Sequence, residues 1–311
     1  MLHEAVLYSS TEEFLSVTVP FLTGGANAGE PTIAVFGQGN AELIRAELGD
    51  TTDIALLDAR THYTRPASAI KTYRKVLAEL IAEGAHRIRV VGEIPHVGTS
   101  RPWEWWARYE ATLNHAFEDF PLWVLCAYDT RAIPAEIRAD VVRTHPHLLT
   151  ADGRHATNPR FEDPASFLTR SPACGADPLE ATPPTIDLLG PTPASARRAV
   201  HIASRTSHLD HTEVADMVYI VNEAVTNAIC HGLPPIHLRI WSGPHRIVAT
   251  VTDQGPGPTD PFVGLLPPPD NSSTGLWLIH QIGDHVTLST DNEGFTIRLV
   301  TSTPNPQPNQ E

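Results

Sequence analysis

Glu223-Ala-Val-Thr-Asn227-Ala-Ile-Cys-His231-Gly232 is the stretch on which the reading of this 311-residue chain turns. It closes a helix-patterned run, Thr212 to His231, and its carboxylate and amide lie four residues apart, one turn from each other on one helix face. Oxygens so placed can converge on one cation or one phosphate group, and magnesium suits such ligands. Alone, the pair reads more readily as a solvated helix face. Two segments downstream change the balance. Asp253-Gln-Gly255-Pro-Gly257 follows a strand pattern and sets an acceptor carboxylate, suited to an adenine amino group, beside glycines that let the backbone approach a flat ligand. By itself it is an ordinary turn composition. Ser272-Ser-Thr274-Gly275-Leu276 precedes an apolar helical run, where free N–H groups at a helix N-terminus attract phosphate.

Around these segments lie a second helical pattern, Ala194 to Thr206, and strand patterns at 236–241, 246–252, 286–290 and 295–300. The first and last strand pairs are joined by hairpin-like turns, Ser242-Gly-Pro-His245 and Asp291-Asn-Glu-Gly294. Helices packed on one face of a largely antiparallel sheet follow from this order. The first half has another rhythm. Apolar runs at 5–8, 32–36, 54–57, 88–91 and 122–125 alternate with helix-length stretches such as Ser68 to Glu83 and Trp103 to Phe117. That alternation predicts a mostly parallel α/β sheet covered by helices.

Prolines at 159, 164, 172, 178, 183, 184, 191 and 193 break any regular period between the halves. The expected organisation is a first domain at 1–164, a proline-rich linker at 165–187, a second domain at 188–303 and a disordered tail at 304–311. Composition narrows the partners. A net charge of −14 with 22 Lys plus Arg would repel a phosphate backbone, so direct nucleic-acid binding is not expected. There is no apolar run long enough to span a membrane and no signal-like start, and the three cysteines, Cys126, Cys174 and Cys230, form no framework. A cytoplasmic location is expected.

In order and spacing, the three segments of the second half resemble the N, G1 and G2 boxes of the GHKL superfamily, the fold of histidine-kinase-like ATPases, over roughly Ala194 to Thr301. Glu-Ala-x-x-Asn-Ala-x-x-His-Gly, in place of paired asparagines, resembles the bacterial anti-sigma-factor serine kinases. That resemblance implies an α/β sandwich, ATP and magnesium as cofactors, and Glu223 as general base. It implies Asn227 as the magnesium ligand and Asp253 as the adenine reader. ATP contacts are implied at Gly255, Gly257, Thr274, Gly275 and Leu276. Ser273 stands where the family often carries the first glycine of Gly-x-Gly-Leu.

The first half has its own set: Pro20-Phe-Leu-Thr-Gly-Gly25 leading to Gly29-Glu30, Val91-Gly-Glu93, Arg108-Tyr-Glu110 with Asn114, Cys126-Ala-Tyr-Asp129, and Thr144-His-Pro146. These resemble the MEDS sensory domain, which implies a RecA-like sheet without a phosphate loop. No Gly-x-x-x-x-Gly-Lys-Ser/Thr occurs here, in agreement. Candidate sensory-ligand residues are His3, Tyr109, Glu110, Cys126, Asp129 and His145. Convergence of His3, Cys126 and His145 on a metal or small ligand is weighed against ordinary buried histidines. Trp103, Trp105 and Trp106 are read as core or as the lining of a ligand cavity.

The implied function is a signalling regulator: an ATP-binding, anti-sigma-factor-like serine kinase controlled by a sensory domain that takes a small-molecule signal. A sigma or anti-anti-sigma factor would be its protein partner. Two alternatives stay open. One is a non-catalytic, ATP-gated docking module, and the other a sensor histidine kinase, for which the proline-rich stretch leaves no room for a dimerising helical hairpin. Homodimerisation is also left open.

Overall fold

The computed structural model describes residues 1–49, 53–94, 103–150, 153–170, 175–268, 274–292 and 294–303. The chain divides into two compact units, Met1–Ser171 and Pro172–Glu311.

The first unit is built on β1 (Leu2–Tyr8), β2 (Thr32–Phe36), β3 (Ile54–Asp58), β4 (Ile88–Gly92), β5 (Leu122–Asp129), β6 (His147–Leu149) and β7 (His155–Thr157). The sheet order is β3-β2-β4-β5-β1-β6-β7, parallel throughout except for the final antiparallel β6–β7 pair. Its helices are α1 (Thr11–Asn27), α2 (Gln38–Leu48), α3 (Ala59–His62), α4 (Pro66–Ala82), α5 (Trp103–Ala116), α6 (Ala135–Thr144) and α7 (Pro164–Arg170). Strands buried on both faces explain the unbroken apolar runs: all five residues of β2 are buried. Ser10 caps α1 by accepting the Glu13 N–H, while the Glu13 carboxylate accepts the Ser9 N–H. One core gathers Val6, Phe14, Leu22, Phe36, Ile44 and Leu125. Trp105 and Trp106 are buried core residues.

The second unit has a 3-10 turn (Pro178–Ala181) and the strands β8 (Ile186–Leu189), β9 (His237–Gly243), β10 (Arg246–Asp253), β11 (His285–Asp291) and β12 (Gly294–Ser302). Its order is β11-β12-β10-β9-β8, every pair antiparallel. The helices α8 (Pro193–Ser204), α9 (His211–His231) and α10 (Thr274–Ile282) complete it. Asp210 and Glu213 form a capping box at the start of α9. Met217, Ile220, Val221, Ala224, Val225 and Ala228 recur at three- and one-residue steps, so α9 buries one stripe against Ile247, Val251, Ile297 and Leu299. Each large side chain on that stripe stabilises by about 1.5–3 kcal/mol on burial. Glu223 and Asn227 lie beside the stripe, half-buried.

The stretch 165–187, read as a linker, is divided between the two units. Within it α7 packs on α5 and buries Phe167 and Leu168. The 3-10 turn and β8 belong to the second sheet, where Leu179 covers Trp241, Val248 and Val300 on the face away from the helices. Tail residues 304–311, and Cys174, lie outside the described residues.

Candidate functional site

In the second unit α9, the end of β10 and the start of α10 converge. A Cβ built on Gly275 would stand 3.1 Å from both Oδ1 and Nδ2 of Asn227 and 3.3 Å from Oε2 of Glu223. Asn227 Nδ2 is buried and makes no hydrogen bond among the described residues. A buried amide donor without an acceptor is costly as structure alone, and such a donor suits a phosphate oxygen of a ligand. Asn222 Nδ2 donates to Glu223 Oε1 at 3.3 Å, and Arg197 donates to Asn222 Oδ1 at 2.6 Å, so the carboxylate is steered from α8. Glu223 and Asn227 together offer oxygens suited to a hard cation.

Asp253, at the end of β10, is 4% exposed, and its Oδ1 accepts backbone N–H groups from Gly255 at 2.7 Å and Leu233 at 3.2 Å. These bonds fix the carboxylate and engage one oxygen, so the other can receive a ligand donor. Close approach demands glycine on both sides: a Cβ on Gly232 would fall 2.4 Å from the Asp253 Cγ, and one on Gly255 2.7 Å from its Oδ1. Gly257 adopts φ +73°, with the Phe295 ring 2.5 Å from where its Cβ would be. Thr274 opens α10, and Leu276 packs on the core. Ser272 and Ser273 lie outside the described residues. The motifs did not single out Arg197, Asn222, Leu233 or Phe295. Leu233 acts through its backbone, and the rest lie in segments with no distinctive spacing.

In the first unit, His3 from β1, Glu110 from α5, Cys126 from β5 and His145 at the end of α6 place one ligand atom each within 4.8 Å of one another. His3, Glu110 and His145 are fully buried and Cys126 is 8% exposed. Burial, reinforced by Glu110, pushes the Cys126 thiol and the Tyr128 phenol up. An apolar cavity adjoins the cluster, lined by Tyr63, Tyr73, Leu77, Tyr109, Glu110 and Cys126 among others. Tyr109 thus reaches the cavity, whereas Asp129 stands apart, paired with Arg131 at 2.7 Å. Other residues of the quoted motifs hold the fold. Glu93 accepts the Gly37 N–H and the Asn40 amide at the start of α2, and a Cβ on Gly25 would strike Thr32 and Arg89. Trp103 donates to Asp140, and none of Trp103, Trp105 and Trp106 is among the residues lining the cavity.

Two family models match: the MEthanogen/methylotroph, DcmR Sensory domain (MEDS) over residues 2–146, and the histidine kinase-like ATPase domain over residues 190–301. Fold and site therefore define a fusion of a MEDS unit with a GHKL-type ATPase unit. Anti-sigma F factors of Bacillus velezensis and Bacillus subtilis are each 32% identical to this chain over 114 residues, covering 32% of it and 78% of their own length. That of Anoxybacillus flavithermus is 29% identical over 115 residues, covering 32% of this chain and 79% of its own length. Through its ATPase unit the chain belongs to the anti-sigma F factor family, as an anti-sigma-factor-like, ATP-binding regulator. No helix among the described residues is long and apolar enough to cross a membrane.

Proposed function

We propose that this protein is an ATP-dependent serine kinase of anti-sigma-factor type, acting in the cytoplasm under the control of its MEDS unit and a small-molecule signal. Its protein partner would be a sigma or anti-anti-sigma factor. The observation that carries the reading is the approach of Gly275 to Asn227 and Glu223, around an amide whose Nδ2 donor has no acceptor among the described residues and can serve a phosphate oxygen while Oδ1 takes the cation.

The residues fit a magnesium nucleotide. Asn227 would hold magnesium through Oδ1, Asp253 would accept the adenine amino group, and the backbone at Gly255, Gly257, Thr274, Gly275 and Leu276 would line the nucleotide. Bound MgATP supplies the phosphoryl group. Glu223, steered by Asn222 and Arg197, would orient the incoming serine hydroxyl and accept its proton from Oγ. The Gly275 backbone beside Glu223 and Asn227 would keep water from that space.

The test incubates the full chain with MgATP and a purified anti-anti-sigma protein, with phosphoserine read by mass spectrometry. Phosphoserine on the acceptor, lost in Glu223→Ala, is expected. ATP binding and partner docking without phosphoserine would replace this reading with the ATP-gated docking module. Acid-labile phosphohistidine would replace it with the histidine-kinase reading.

A further inference from the structure

The buried cluster of the first unit has the donor set and dimensions of a metal site, and it stands independently of the ATP site. His3 Nε2 lies 3.2 Å and His145 Nε2 3.4 Å from Glu110 Oε2. Cys126 Sγ lies 3.5 Å from His3 Nε2 and 3.7 Å from Glu110 Oε2. In tetrahedral zinc, with bonds of about 2.0–2.1 Å to N or O and about 2.3 Å to S, the N···O edges are about 3.3 Å and the edges to S about 3.5 Å. The four measured edges follow that pattern, and the remaining two are within 4.8 Å.

The surroundings turn the ligand atoms inward. Asn114 donates through Nδ2 to the Thr144 carbonyl at 2.8 Å, which leaves its Oδ1 to accept from His3 Nδ1 at 3.0 Å. His145 Nδ1 is committed to the Val141 carbonyl at 2.7 Å. Each ring thus spends its donor on an outer acceptor and presents Nε2 as a lone pair toward Glu110. Such outer acceptors are the usual support of metal-binding histidines. Glu110 Oε1 accepts from Tyr128 at 2.6 Å, leaving Oε2 for the centre. His145 Nε2 is buried and makes no hydrogen bond among the described residues, despite lying near that oxygen. Lone pairs of two imidazoles and a carboxylate oxygen therefore face one another, and the Cys126 thiol, the donor among them, has one proton to share between Glu110 Oε2 and His3 Nε2. One cation at the centre satisfies them all.

We infer that His3, Glu110, Cys126 and His145 bind a divalent cation of the zinc class, one that accepts nitrogen, oxygen and thiolate together. The mixed set excludes magnesium and calcium, which take oxygen ligands. Binding releases the Cys126 proton to solvent and leaves a metal-bound thiolate.

The test is expression of the full chain in cobalt-supplemented medium, followed by metal analysis and absorption spectroscopy. About one cobalt per chain is expected, with strong four-coordinate visible bands and a near-ultraviolet thiolate-to-metal band. That band should disappear in Cys126→Ser, with folding checked by circular dichroism, and persist in a Cys174→Ser, Cys230→Ser double variant. Folded wild-type protein holding less than about a tenth of an equivalent would overturn the inference, because a closed tetrahedral site retains its ion. So would a thiolate band that survives Cys126→Ser, since the ion would then sit on another thiol. Should Cys126→Ser fail to fold, the wild-type spectrum decides: weak six-coordinate bands without a thiolate component exclude this site.

Discussion

Gly275 approaches Asn227 so closely that any side chain on it would press against both polar atoms of the amide, while the amide itself has no partner among the described residues. An unpartnered buried amide costs roughly 1–3 kcal/mol, so its presence is an expense of binding rather than a gift to folding. Asn227→Ala should therefore leave the melting temperature unchanged or raise it slightly, and abolish magnesium-dependent ATP binding. Calorimetric titration and thermal unfolding of the full chain check this together; tight ATP binding by the variant would remove Asn227 from the site.

Gly275→Ala sets two effects against each other. Alanine favours a helix by about 1 kcal/mol over glycine, which helps α10. Its methyl must displace Asn227 or Glu223 by some tenths of an ångström, since 3.1 Å is tighter than ordinary contact. The expected result is unchanged or improved stability with ATP affinity about tenfold weaker, a loss of roughly 1.4 kcal/mol.

Asp253→Asn keeps an acceptor for the Leu233 and Gly255 N–H groups, so the fold should persist. What changes is the second oxygen, which becomes a donor facing a donor. Loss of a charge-assisted hydrogen bond is worth roughly 1.5–3 kcal/mol, which predicts about 10- to 100-fold weaker ATP binding. Unchanged affinity would show that adenine is read elsewhere.

Glu223→Ala separates binding from transfer. Its carboxylate accepts from Asn222, which is held by Arg197, and in the proposed site adenine is assigned to Asp253. ATP affinity should stay within about threefold, while phosphotransfer falls by roughly 100-fold or more, the usual loss for a general base. A change in affinity alone would assign Glu223 to nucleotide binding.

How far these features could be read from sequence depended on how locally they are encoded. The strands at 32–36 and 122–125 are legible because burial on both faces writes an unbroken apolar run. The three-residue strands β6 and β7 are not: His155-Ala-Thr157 carries no apolar signal, and its pairing with β6 is set by tertiary contact. β8 hides among prolines for the same reason. Glu223 and Asn227 are legible because one helix encodes their spacing. His3, Glu110, Cys126 and His145 come from four elements, and only the parallel pairing of β1 with β5 and the packing of α5 and α6 bring them together. Asp129, three residues beyond Cys126, is a candidate beside them by sequence, but it lies where β5 ends and pairs with Arg131.

The same dependence on tertiary contact governs where the ATPase unit can be cut. The family match begins at residue 190, yet Leu179 covers Trp241, Val248 and Val300, and Trp241 Nε1 donates to the Thr182 carbonyl at 2.8 Å. Glu180 pairs with the largely buried Arg298 of β12, and β8 completes the sheet edge beside β9. A fragment starting at 190 bares that apolar face, strands a guanidinium without its carboxylate and opens β9 as an edge. Full exposure of one large buried side chain costs about 1.5–3 kcal/mol, and Trp241, Val248 and Val300 each lose part of their cover. Relative to a fragment starting at 175, it should therefore be less stable by roughly 3 kcal/mol or more in urea unfolding, and more prone to aggregate. Equal urea midpoints would mean that the 3-10 turn and β8 rest on the sheet without supporting it.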